Sequence, residues 1–195
     1  LLTSRQAEYD PTLGVRLLRL ELLPRMDSLA LLRKLAPRLE TEPDVELNPL
    51  AQRLGDYPLA LHLAGMYLRQ DRLCTVQEYI HRLEQPGKAL EQEFLAAWKR
   101  TNPTHYEETA GQTFLLSWKR LTPRDKVDAL ARRLFRAAGY CAENTPIPLE
   151  VLRRVAGEAV EALDFGAALD RLYQTGLAAP AEGGPLLHPL LAEFA

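Results

Sequence analysis

Leu54-Gly55-Asp56-Tyr57-Pro58-Leu59-Ala60-Leu61 is the stretch that decides the fold of this chain. Leu47, Leu50, Ala51 and Leu54 recur at i, i+3, i+4 and i+7, the spacing of one helix face, and the pattern stops at Gly55. Glycine adopts the left-handed conformation that closes a helix, and proline fits the first turn of the next. A second helix is expected over 58–69, and it is apolar on nearly every side. That pattern reads as the buried central helix of a bundle.

Working outward, helical patterns continue in both directions. Met26, Leu29, Leu32 and Ala36 form one face after Pro24, with Asp27 or Ser28 as the cap. Thr75-Val76-Gln77-Glu78 is a capping box that opens a helix to Leu83, and Pro86-Gly87 then breaks the chain. A helix is expected around 90–98, followed by a linker at Thr101-Asn102-Pro103. The stretch 110–121 carries Phe114, Leu115 and Trp118 toward a core. Thr122-Pro123 reads as a helix start, a cap followed by proline at the first helical position. Val127, Leu130, Ala131, Leu134, Phe135 and Ala138 make an unbroken apolar stripe. Pro146-Ile147-Pro148 is a stiff link into Leu149, Leu152 and Val155. A further helix is expected from Asp164, with Phe165, Ala168, Leu169, Leu172 and Tyr173 at helical spacing and Gly176 as its stop.

The tail changes character. Leu177-Ala178-Ala179 and Leu186-Leu187 are short strand candidates around Glu182-Gly183-Gly184-Pro185, and a last helix is expected near His188-Pro189. Helices followed by a small hairpin are the order of a winged-helix module. At the other end, 1–3 and 15–20 are short apolar runs of strand character, separated by Asp10-Pro11 and Gly14. The opening Leu1-Leu2-Thr3-Ser4-Arg5 reads like the end of a strand, and the chain is expected to be a segment of a longer protein. The expected fold class is mainly α: a small helical bundle, then a winged-helix domain, preceded by a short strand remnant of an upstream α/β domain. The expected divisions are 1–22 for that remnant, 23–86 for a lid-like helical domain, 87–105 for a helical connector and 106–195 for the winged helix.

The 195 residues are 47% hydrophobic, enough for one or two cores of ordinary domain size. A formal charge of −2 supplies no global field toward nucleic acid or an anionic membrane. Cys74 and Cys141 are far apart and lack metal-ligand spacing, so they read as reduced thiols of a cytoplasmic protein. No apolar run approaches the roughly 20 residues that span a bilayer, and no signal peptide is visible. No Ser/His/Asp, Cys/His or metal-spaced cluster stands out, so neither a catalytic residue nor a metal ligand is assigned.

Three motifs, in order, resemble those of the NB-ARC and related STAND nucleotide-binding switch ATPases, the NLR-like family. Thr3-Ser4-Arg5 after an apolar run looks like the sensor motif at the end of a core strand. Gly55-Asp56-Tyr57-Pro58-Leu59-Ala60-Leu61 is similar to the adenine-side motif, with two residues between glycine and proline where the family has one. Leu187-His188-Pro189-Leu190-Leu191 looks like the winged-helix histidine motif, which reads Met-His-Asp in plant members; the aspartate is missing here. The likeness spans nearly the whole chain. The phosphate-cradling glycine loop with its lysine and the magnesium-holding acidic strand are not in this sequence.

The resemblance implies a regulatory segment that closes over ADP at rest. ADP/ATP exchange would then release it, allowing oligomerisation and effector activation in signal transduction such as a defence response. It implies nucleotide contacts at Thr3, Arg5, Pro58, Leu59 and His188. It implies an upstream P-loop domain that supplies magnesium, and downstream sensor repeats, as partners in the same chain. This segment alone is not expected to hydrolyse ATP, whereas the parent would be a slow ATPase. Neither nucleic acid nor membrane is an expected partner.

Each residue also has a plainer reading. Arg5 offers phosphate a fork of permanently charged donors, or is a surface arginine after a strand. Thr3 offers a hydroxyl to the same phosphate, or simply ends the strand. Pro58 gives adenine a rigid apolar surface, or only starts a helix. His188 donates to a β-phosphate at a helix start that favours anions, or only caps that helix. His62, His81 and His105 are assigned to surfaces. Two other functional classes stand beside the switch. One is a DNA-binding winged helix of a transcription regulator, whose groove-reading helix at 164–174 carries Asp164 and Asp170 against only Arg171. The other is a helical scaffold without nucleotide.

Overall fold

The structure, a computed structural model, describes residues 21–85, 105–142, 145–192 and 194–195. Residues 1–20 of the strand remnant expected in 1–22, the helix expected at 90–98 and most of the connector 87–105 lie outside these residues. Among the described residues the protein is mainly α-helical, with one two-stranded sheet.

The first half holds α1 (Arg25–Leu35), a 3₁₀ turn (Pro37–Thr41), α2 (Asp44–Arg53), α3 (Pro58–Gln70) and α4 (Val76–Glu84). α1 opens at Pro24, whose carbonyl accepts from the Asp27 and Ser28 amides at 2.9 and 3.0 Å. Neither Asp27 nor Ser28 is the cap expected from sequence. Both lie inside the helix, and buried Ser28 returns its hydroxyl to Pro24 O at 3.4 Å. The reason is that Pro24 itself takes the extended N-cap conformation, with φ −54° and ψ 145°.

α2 ends as its glycine requires. Gly55 has φ 65°, its amide reaches Gln52 O at 3.1 Å, and the Asp56 amide reaches Ala51 O at 3.1 Å. This pair of bonds satisfies two carbonyls that the helix end would leave open. Asp56 is also left-handed, with φ 54°, and its carboxylate takes a two-pronged bond from Arg25 at 2.8 and 2.7 Å. Tyr57 is then extended and Pro58 is the first residue of α3. In α4, Thr75 Oγ1 accepts from the Glu78 amide and Glu78 accepts from the Thr75 amide, the reciprocal cap expected from sequence.

The second half holds α5 (His105–Lys119), α6 (Lys126–Ala138), α7 (Leu149–Ala156), α8 (Ala162–Gln174), β1 (Ala179–Ala181), β2 (Gly184–Leu186) and the single turn α9 (Pro189–Ala192). α6 starts later than Thr122-Pro123 suggested. Asp125 is its N-cap, accepting from the Asp128 amide at 2.9 Å, and Asp128 in turn accepts from the Thr122 amide at 2.8 Å. Two carboxylates outcompete the Thr-Pro start by capping one turn further on. α8 starts at Ala162, two residues before Asp164, with Glu161 as N-cap.

α8 closes by the same device as α2. Gly176 has φ 73° and bonds Tyr173 O at 3.1 Å, and the Leu177 amide bonds Leu172 O at 3.0 Å. Leu177 and Ala178 are consumed by that closure, so the hairpin lies further on than expected. β1 and β2 pair antiparallel with Ala181 opposite Gly184 across the turn Glu182-Gly183. Ile147 donates its amide to Pro185 O at 2.9 Å, tying the Pro-Ile-Pro link to the hairpin.

Two apolar clusters hold these elements. The first gathers Leu29, Leu32, Leu47, Leu50, Leu54, Tyr79 and neighbours. The second gathers Phe114, Leu134, Phe135, Phe165, Leu172, Leu187, Leu191 and neighbours. α3 belongs to both. Ala60, Leu61, Ala64, Tyr67 and Leu68 fill the first cluster, while Leu59 and Leu63 enter the second. An all-round apolar helix has no solvent face to offer, so it is packed from both sides. Gly65 lets α1 approach: a Cβ there would meet Leu35 Cβ at 2.6 Å. Each fully buried leucine contributes roughly 1.5–3 kcal/mol relative to exposure.

Candidate functional site

The start of α3 presents an unusual surface. Pro58 is exposed at its first position, while Leu59 behind it is buried. No side chain caps this helix start, and its first turn contains no acidic residue. The amides at such an end carry partial positive charge and suit an anion. Proline adds a rigid apolar face beside them.

Leu59 leads across the molecule. It shares the second cluster with Leu187, Leu190 and Leu191, the residues around His188. His188 lies between the hairpin and α9 and is exposed. Its carbonyl accepts from the Leu191 and Ala192 amides at 2.8 and 3.0 Å, so it is the N-cap of that turn. Its Nδ1 accepts from the Leu190 amide at 3.2 Å. In the neutral ring this leaves the proton on Nε2, and Nε2–H is a donor free of the capping duty. Burial, and then the neighbouring His62, push the His188 pKa down, which keeps the ring neutral near pH 7.

His62 corrects an expectation. The sequence places it on a surface, but it is half-buried on α3, one turn beyond Pro58. Its Nε2 lies 3.2 Å from the point a Cβ on Gly176 would occupy, and burial lowers its pKa. The closure of α8 therefore lies on the His62 face of α3. A single histidine within an apolar helix gives no sequence signal for this. A signal does exist in Gly176, because the left-handed turn it forms needs a partner surface with no Cβ in the way.

The expected residues therefore divide. Pro58 and Leu59 open α3, His188 precedes α9, and the second cluster holds Leu59 together with the leucines on either side of His188. Thr3 and Arg5 lie outside the described residues. Among the described residues no group of three or more His, Cys, Asp or Glu side chains could hold a metal ion. Cys74 and Cys141 are free thiols, and burial raises the Cys74 pKa, which makes that thiol a poor nucleophile. No described helix is long and apolar enough to cross a membrane. Comparison with protein-family models, with curated proteins and with solved structures finds no match to this chain.

Proposed function

We propose that this chain is the lid and winged-helix part of a STAND-type ATPase switch, closed over ADP at rest. The observation that carries the reading is that the Pro58 turn and the His188 turn border one core, the cluster that holds Leu59 together with Leu187, Leu190 and Leu191. The uncapped α3 start supports it by offering amides to an anion and proline to a base. The His188 ring supports it because its Nδ1 is occupied and its Nε2–H can serve as a phosphate donor. The order α6, α7, α8, β1, β2 supports a winged helix, in which α6 packs on both α7 and α8. The P-loop and magnesium would come from an upstream part of the same parent chain. The switch follows from contacts present in one state only: a nucleotide gripped between the two turns favours the closed form, and its exchange releases the second half.

The DNA-binding alternative fares worse on the same geometry. The one basic residue of α8, Arg171, is held by Asp128 at 2.6 Å, and Asp164 is paired with Lys126 at 2.7 Å. A groove-reading helix needs cations free for phosphates.

The test uses the full-length protein that carries this chain. Purified without added nucleotide and then denatured, it is expected to release stoichiometric ADP. Release of none, with none bound on addition, overturns the reading. His188→Ala is expected to speed ADP release and raise basal oligomerisation; unchanged release and oligomer distribution would count against it. Pro58→Asp is expected to weaken nucleotide retention more than it lowers Tm. A fall in Tm with affinity intact would make Pro58 a helix starter only.

A further inference from the structure

We infer that the cleft between the C-terminal end of α3 and α8 is a binding site for a small organic phosphate. The cleft has a volume of about 710 Å³ and is walled by Met66, Arg69 and Gln70 of α3, by Arg120, by Arg171, Tyr173 and Gln174 of α8, and by Pro180 of β1. That volume lies within the range of small-molecule sites. Three arginines line the cleft and no Asp or Glu does. It is distinct from the Pro58 turn: Arg69 is near the opposite end of a 13-residue helix, about 16 Å away at the usual rise.

The local charge does not balance. Asp71 is shared by two arginines, with Arg82 at 3.1 Å and Arg120 at 3.8 Å. Arg120 also stacks over the Tyr67 ring at 4.7 Å, which fixes its plane. Arg171 is paired with Asp128 at 2.6 Å and bonds Arg120 O at 3.1 Å. Arg69 is exposed and has no ion pair among the described residues. Of the three cleft arginines, Arg120 and Arg171 are paired with carboxylates that do not line the cleft, and Arg69 is left over. Guanidiniums pre-oriented by stacking and backbone bonds suit the several oxygens of a phosphate.

Two further features define the rest of the ligand. Gln70 Oε1 is buried without a donor, and its Nε2 reaches Gln174 Oε1 only at 3.4 Å. A turn of the Gln70 side chain would bring that oxygen to a hydroxyl on the ligand or on its phosphate. Met66, Tyr173 and Pro180 form an apolar wall suited to a ring or short hydrocarbon body. Because α3 and α8 come from the two halves, such a ligand would clamp them together and raise Tm by binding the folded state only.

The experiment is titration calorimetry and thermal unfolding of the 195-residue protein with phenyl phosphate, inorganic phosphate and benzyl alcohol. Phenyl phosphate is expected to bind and raise Tm, inorganic phosphate to bind more weakly, and benzyl alcohol not to bind. Arg69→Glu, at an exposed position that does not endanger folding, is expected to weaken phenyl phosphate by tenfold or more, the scale of one charge-assisted hydrogen bond. Arg154→Glu, at an exposed position on α7 outside the cleft lining, is expected to leave it unchanged. No binding by phenyl phosphate, or binding that survives Arg69→Glu, overturns the site. Binding lost in His188→Ala but kept in Arg69→Glu also overturns it, because the anion then lies at the α3 start. Inorganic phosphate bound as tightly as phenyl phosphate overturns the organic body of the ligand.

Discussion

His62 on α3 and His188 at the start of α9 lie close enough that the charge on one disfavours the charge on the other. Residues 126 positions apart in sequence thus come near each other where the two halves meet, His62 half-buried and His188 exposed. Burial is the sole cause of the lowered pKa at His62 and the leading cause at His188.

The pair predicts an acid-sensitive junction. Both folded-state pKa values lie below the ordinary 6.5, so the unfolded chain binds more protons as pH falls past that value. Their stabilising contribution is complete above pH 6.5 and is lost as pH falls toward the lowered folded-state values. The carboxylates of Asp56, Asp71 and Asp128 are held below their ordinary 3.8, so their loss begins only at lower pH. Thermal unfolding across pH 4.5–7.5 is expected to show Tm falling below 6.5, with a flatter profile in His62→Gln. An unchanged profile in that variant removes His62 from the effect.

Asp128 is expected to be the most costly ion-pair partner to remove. It is buried, capped on the Thr122 amide at 2.8 Å and paired with Arg171 at 2.6 Å. Asp128→Ala leaves a guanidinium and an amide without their acceptor, at a cost of about 2–4 kcal/mol. Urea unfolding measures it. Arg171→Met is expected to cost less than Asp128→Ala, because it keeps the stem packing and removes the stranded cation.

Asp56 combines a left-handed backbone with a surface-linked pair to Arg25. Asp56→Asn keeps the backbone tolerance but loses charge, and about 1 kcal/mol is expected to go with it. Asp56→Val adds left-handed strain of about 1–3 kcal/mol. A difference of less than 0.5 kcal/mol between the two variants in urea, about the scatter of ordinary surface substitutions, would mean that the turn relaxes.

Two glycines are expected to respond in opposite directions. A Cβ on Gly184, at φ 150°, would fall 1.9 Å from Ile147 O, a backbone atom with no rotamer to change. Gly184→Ala is expected to cost about 2–4 kcal/mol through displaced backbone. Gly166 lies inside α8, and a Cβ there meets nothing within 4 Å. Gly166→Ala is expected to add about 0.5–1 kcal/mol of stability. Tm measurements on both variants check the pair.

Where sequence reading succeeded, the interaction was local. The apolar face Leu47, Leu50, Ala51, Leu54, the stop at Gly55, the start at Pro58 and the Thr75 cap depend on residues a few positions apart, and each is found as read. Where two local signals competed, the reading slipped. Thr122-Pro123 and Asp125 both offer a helix start, and Asp125 takes it because Asp128 holds the Thr122 amide. The strands at Ala179–Ala181 and Gly184–Leu186 lie beyond Leu177 because the closure of α8 takes that residue first. His62 could not be read at all, since its surroundings come from Gly176 and His188 far along the chain.

By itself the sequence determined the mainly helical class, most helix faces and the two glycine-terminated helices that shape the chain. These follow from backbone geometry and apolar periodicity over a few residues. Only the tertiary structure decided that α3 is shared between two cores, that His188 comes near His62, and that Arg69, Arg120 and Arg171 line one cleft. Those relationships join distant parts of the chain. They arise from how helices apolar on more than one side must stack to leave no face in water.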